Sequence, residues 1–195
     1  MAATGILLVA IGAATLGSAQ AGEDAAASVP EPAGYRMEDY RAPTPDSITG
    51  GTTVSTADLR ALLAEGDVIL IDVLPAQRKP EKLPASTLWI PKPRHNIPGS
   101  VWLPEVGRGA LSPAIESYFR GNLERLTEGD RDRKLVFYCL ANCWMSWNAA
   151  KRAIAYGYDN VYWYPDGTDG WAAAGLPLET SRPVPMPDPT APPPS

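Results

Sequence analysis

The sequence is short of the residues that most often announce a reaction. It has one histidine and two cysteines in 195 residues. A fourth zinc ligand is therefore hard to name, and nothing resembles a Ser/His/Asp triad, a phosphate-cradling Gly-rich loop or a dinucleotide fingerprint. The 17 Lys and Arg are scattered among 22 Asp and Glu, giving a net charge of -5 and no basic run. That balance argues against nucleic acid or an anionic membrane as a main partner, since both demand clustered cations. With 45% hydrophobic and 20% charged residues, the chain reads as one soluble globular domain with tails.

The first 21 residues are read as a cleavable signal peptide and set aside from the fold. Residues 5–17, GILLVAIGAATLG, are apolar but too short to span a bilayer. Ala19 and Ala21 fit a small-x-small cleavage rule, predicting a mature start at Gly22. The segment carries no Lys or Arg, and a buried helix or uncleaved anchor is the alternative. Export places the protein in the periplasm or its equivalent, with no membrane span after cleavage.

Residues 22–51 are rich in Ala, Pro and Gly and read as a linker or strap, in which GYRMEDYRAP has the aromatics and Arg to dock. The domain runs from 52 to 180. Ser55 and Asp58 form a capping box before the stripe Leu59, Leu62, Leu63. DVILIDV (67–73), SVWLP (100–104), KLVFYC (134–139) and NVYWYP (160–165) read as strands. Residues 113–126, 146–157 and 170–175 read as helical. This alternation predicts an α/β fold with a mostly parallel sheet of about five strands and helices on both faces. Residues 181–195, rich in proline, are read as a disordered or extended tail.

Both cysteines fall in one segment, YCLANCWMSWNAAKRA. A disulfide four residues apart closes too small a loop to restrict the unfolded chain much. Cys139 and Cys143 thus favour a redox, sulfur-transfer or metal role over a staple. Cys139 stands where a buried strand ends and a helix begins, the place where open α/β sheets bind ligands. Inward-pointing N–H groups and the helix dipole make a positive cradle there, and a thiol in it is expected to be thiolate-rich near neutral pH. The bland alternative is a small buried strand residue. Cys143 could resolve a persulfide or sulfenate on Cys139 if the two Cα atoms come within about 7 Å.

Three segments resemble the rhodanese family over residues 52–179: DVILIDV with Asp72, RHNIPGSVWLP (94–104), and GYDNVYWYPDGTDGWAAAGLPLE (157–179). The resemblance implies the three-layer rhodanese-like fold and puts the family's catalytic cysteine on Cys139. In rhodaneses that thiolate accepts a sulfane sulfur as a persulfide and passes it to a nucleophile. Leu140, Ala141, Asn142, Trp144, Met145 and Ser146 become the substrate loop, supported by Asp72 and Trp147. The resemblance implies a small sulfur donor and acceptor, or a thiol partner, and no cofactor. CLANCWMSW, the export segment and GYRMEDYRAP are similar to the CXXCW motif proteins associated with PQQ-dependent alcohol catabolism, although here three residues separate the cysteines. That similarity implies a PQQ-dependent dehydrogenase or its cytochrome as partner.

The loop departs from the active-family pattern. Trp144 stands where a loop Arg or Lys is usual, Leu74 where an Arg commonly follows the strand Asp, and the nearest cations, Lys151 and Arg152, lie about two turns along the helix. Weaker holding of thiosulfate follows, since charge-assisted hydrogen bonds are roughly twice as strong as neutral ones. Trp144 and Trp147 either dock a partner or flat ligand, or wedge the core. A non-catalytic reading also stands: Cys139, Cys143 and His95 as a Cu(I) set, with His95 otherwise structural. PDGTDG (165–170) reads as a turn, its Asp166 and Asp169 being weak cation ligands at best.

Overall fold

The computed structural model describes Met1, residues 29–84 and residues 86–187; the segment read as a signal peptide, beyond Met1, and the end of the tail lie outside these. In chain order the elements are β1 (Thr52–Thr53), α1 (Thr56–Glu65), β2 (Val68–Asp72), β3 (Arg94–Asn96), β4 (Val101–Trp102), α2 (Pro113–Thr127), β5 (Lys134–Tyr138), α3 (Trp144–Ala155), β6 (Val161–Tyr164), α4 (Gly167–Ala173) and β7 (Glu179–Ser181). Five strands make a parallel sheet in the order β1-β6-β5-β2-β4. The α/β class with about five parallel strands is thus the one the alternation of apolar runs predicts. The capping box is present: the Ser55 hydroxyl accepts from Asp58 N–H and the Asp58 carboxylate accepts from Ser55 N–H.

Strand periodicity decides what each residue faces. On β5, Leu135 and Phe137 join a core with Phe119, Leu123, Trp147 and Trp163, and Cys139 continues that alternation just beyond the strand. Val136 and Tyr138 point to the opposite face and pack with Leu59, Tyr164 and Trp171. The central strands are apolar on both sides because helices cover both sides.

Three features differ from expectation. Residues 94–96 and 179–181 pair as an antiparallel ribbon, which three-residue strands are too short to signal. The tail does not float from residue 181: Pro183 bridges to Trp102, Val184 N–H donates to the Trp102 carbonyl, and Tyr118 donates to the Val184 carbonyl. The edge of β4 offers unpaired backbone groups, and an extended proline-rich segment can use them at its non-proline residues. PDGTDG is not simply a turn, because α4 begins at Gly167 within it.

Residues 29–51 lie along α3 with almost no regular structure. Asn148 fixes them by accepting from Arg36 N–H and donating to the Arg36 carbonyl, at 2.9 and 2.8 Å. The indole N–H groups of Trp144 and Trp147 donate to the carbonyls of Pro43 and Ser47. Lys151 donates to Pro32 and Ala33.

Candidate functional site

The site is built on the five residues between β5 and α3. Cys139 and Cys143 are joined by a disulfide with Cα atoms 6.2 Å apart, inside the range such bonds need. Both are buried, at 0% and 2% exposure, so a reagent must come through the loop or move something. Asn142 makes the turn in the left-handed region, φ 52°, which asparagine tolerates better than most side chains. Cys143 is the N-cap of α3 and gives it no side-chain hydrogen bond. In place of a cap, Trp144 N–H donates to the Tyr40 carbonyl, and Arg41 bridges to Cys143.

The opposite side of the loop is held by α4. The Cys139 carbonyl accepts from Thr168 N–H at 3.1 Å and from Arg94 Nη2 at 3.4 Å. Leu140 bridges to Gly167, where a Cβ would lie 2.6 Å from the Cys139 oxygen, so this approach requires glycine. Ala141 N–H donates to the Asp169 carboxylate at 3.1 Å. That bond takes one N–H away from any bound anion and sets a negative charge beside the loop.

Asp72 is fully buried. Its carboxylate accepts from Leu74 N–H at 2.9 Å and from Arg94 Nε at 2.7 Å. Burial drives its pKa above the ordinary carboxylate value, against the pull of Arg94 and the hydrogen bonds. Arg94 therefore ties the end of β2 to the start of the cysteine loop. Sequence reasoning missed this residue; it lies two positions before Asn96 in the quoted RHNIPG segment, on the inward face that strand alternation gives to both.

The remaining expected residues divide sharply. Leu140 and Ala141 are half-buried and Asn142 is exposed, so these three present the loop to solvent. Trp144, Met145, Ser146 and Trp147 turn inward at 3% exposure or less, which corrects the expectation that the first three contact substrate. Ser146 accepts from Trp163 Nε1 and donates to the Cys143 carbonyl. The tryptophans are wedges beneath the loop, stacked edge to face at 5.4 Å. Arg152 donates to the carbonyls of Val106, Arg108 and Gly109 and, like Lys151, is committed away from the loop. His95 is exposed on β3, and the described residues contain no group of three His, Cys, Asp or Glu able to hold a metal. The Cu(I) set is not brought together.

Beside Leu140 opens a cleft of about 950 Å³. Its walls come from residues 74–77, the 90–95 stretch, Trp102, α4 and residues 178–183.

A buried cysteine pair closes a strand-to-helix loop at the carboxyl edge of a five-stranded parallel sheet in an α/β domain. The chain belongs to the rhodanese-like domain family, which matches residues 55–174. No curated protein matches it. Among solved structures it is similar to the polysulfide-sulfur transferase homodimer of Wolinella succinogenes, with 22% identity over 67% of this chain and 79% of that one and a TM-score of 0.41. It is also similar to a human single-domain sulfurtransferase, with 25% identity over 62% and 95% and a TM-score of 0.38. A thiosulfate sulfurtransferase from Pseudomonas aeruginosa shares 21% identity over 68% of this chain but only 21% of its own length, with a TM-score of 0.46.

Proposed function

We propose that this is a periplasmic sulfur-transfer protein in which Cys139 takes up sulfur and Cys143 resolves it. The observation that carries the reading is the direct bonding of the two cysteines within a strand-end loop, in a chain of the rhodanese-like family. In the reduced form the Cys139 thiolate attacks the sulfane sulfur of a donor. The donor's sulfur–sulfur bond breaks, its leaving group keeps the electron pair, and Cys139 becomes a persulfide. An acceptor nucleophile can remove that sulfur. Otherwise the Cys143 thiol attacks Cys139 Sγ, hydrosulfide departs with the pair and the thiol proton, and the disulfide forms. A dithiol reductant, itself oxidised to a disulfide, restores both thiols.

The similarity of CLANCWMSW and the export segment to proteins of PQQ-dependent alcohol catabolism supports a role beside such a dehydrogenase or its cytochrome. An N-terminus beginning at Gly22 on the exported protein is the expected processing, and an intact Met1 contradicts export. Steady-state transfer assays on single cysteine variants test the chemistry. With a dithiol as the acceptor, loss of turnover in Cys139→Ala is expected, and slower turnover in Cys143→Ala, where the persulfide must wait for the external thiol. Loss in Cys139→Ala alone leaves plain sulfur transfer without a resolving step. Wild-type turnover in Cys139→Ala overturns the assignment.

A further inference from the structure

Resting on the sulfur-transfer reading, we propose that the cleft beside Leu140 binds an amphipathic anionic sulfur donor, an organic group ending in a sulfur-bearing anion, in preference to a small inorganic one. Three observations carry it. The cleft holds about 950 Å³, within the roughly 300–1,000 Å³ of sites for drug-sized ligands and far more than a five-atom anion fills. Ile90, Trp102, Leu140 and Leu178 line it, and Ile90 is 77% exposed, an apolar side chain left uncovered at the rim. Lys92 and Arg182 also line it, and neither has an ion-pair partner among the described residues.

The cysteine loop itself is badly furnished for a small dianion. Ala141 N–H is spent on the Asp169 carboxylate, Arg94 is neutralised by Asp72, and Trp144 is buried where a cation is usual. Affinity must then come from elsewhere, and apolar contact with the cleft supplies it. With an organic thiosulfonate the step balances simply: Cys139 thiolate takes the outer sulfur, the sulfur–sulfur bond breaks, and an organic sulfinate leaves.

Linear alkanesulfonates test the cleft without chemistry, because they carry no transferable sulfur. The full mature chain, in its disulfide form, is titrated by calorimetry with butane- to decanesulfonate below their micellar concentrations. Expected are one site per chain and an affinity rising about threefold to fourfold per methylene. Binding should weaken at least about tenfold in Ile90→Asp and severalfold in Lys92→Ala/Arg182→Ala. Affinity independent of chain length, binding of many molecules per chain, or unchanged binding in Ile90→Asp overturns the proposal. The reduced protein is then assayed with octanethiosulfonate and thiosulfate, and a higher kcat/KM for the organic donor is expected. Sulfonate binding with no turnover of either donor leaves the cleft and removes the sulfur-transfer reading. Thiosulfate turnover with no sulfonate binding does the reverse.

Discussion

Two long segments flank the cysteine loop without regular structure, and they could hardly be treated more differently. Residues 29–51 are tied to α3 through Asn148, Lys151 and the indole N–H groups of Trp144 and Trp147. Residues 75–84 and 86–93 run on the other side, leaving Leu88 85% and Ile90 77% exposed. Within them Lys79 Nζ donates to the Thr87 carbonyl and Lys92 N–H donates to Gln77 Oε1. The first segment spends its polar groups on the domain; the second leaves Ile90 exposed at the cleft, beside a Lys92 with no ion pair among the described residues. Irregular backbone is thus scaffold on the Cys143 side and, in the proposal above, recognition surface on the Leu140 side.

The largest expected break in this comparison is Trp147→Ala. The ring is fully buried and its N–H holds Ser47, so the change should cost about 3–5 kcal/mol and free the strap, seen as a fall in Tm with faster amide exchange over 29–51. Next comes Gly167→Ala, where the new Cβ meets the Cys139 carbonyl in a left-handed position. About 1–3 kcal/mol and a large drop in sulfur transfer are expected, with the strap's exchange unchanged. Ile90→Asp should move stability by no more than about 0.5 kcal/mol in chemical denaturation; a larger loss would mean that the second segment is scaffold too.

A smaller effect is expected from pH. Partial burial raises the pKa of Glu31, but hydrogen bonds from Ser47 and Thr49 outweigh it and hold the carboxyl below its ordinary value. A carboxylate so depressed stabilises the fold above its unfolded pKa, and that contribution is lost as pH falls through the lower folded value. Tryptophan fluorescence of the folded protein should report loosening of the strap over that acidic range, and Glu31→Gln should remove the pH dependence.

Much of the fold was legible because long apolar runs alternate with helical stripes, and the Ser55–Asp58 box announced α1. Cys139 was legible because a buried strand runs straight into it. The role of Arg94 was not, since a cation gains its meaning only when β2 and the loop after β5 are brought together across the sheet. The inward turn of Trp144 and Met145 was hidden for a related reason: α3 begins at once after Cys143, and a helix face cannot be assigned until its first residue is known. Asp169 read as part of a turn because its partner, Ala141, lies 28 positions away.

Intact-mass analysis of the fully reduced protein after exposure to a sulfane-sulfur donor, in wild type and Cys143→Ala, tests the dithiol assignment most directly. Wild type should end two protons lighter than the reduced form, with hydrosulfide released. Cys143→Ala should retain one added sulfur on Cys139 that a thiol removes. Two thiols unchanged in wild type, with no sulfur gained by the variant, would contradict it.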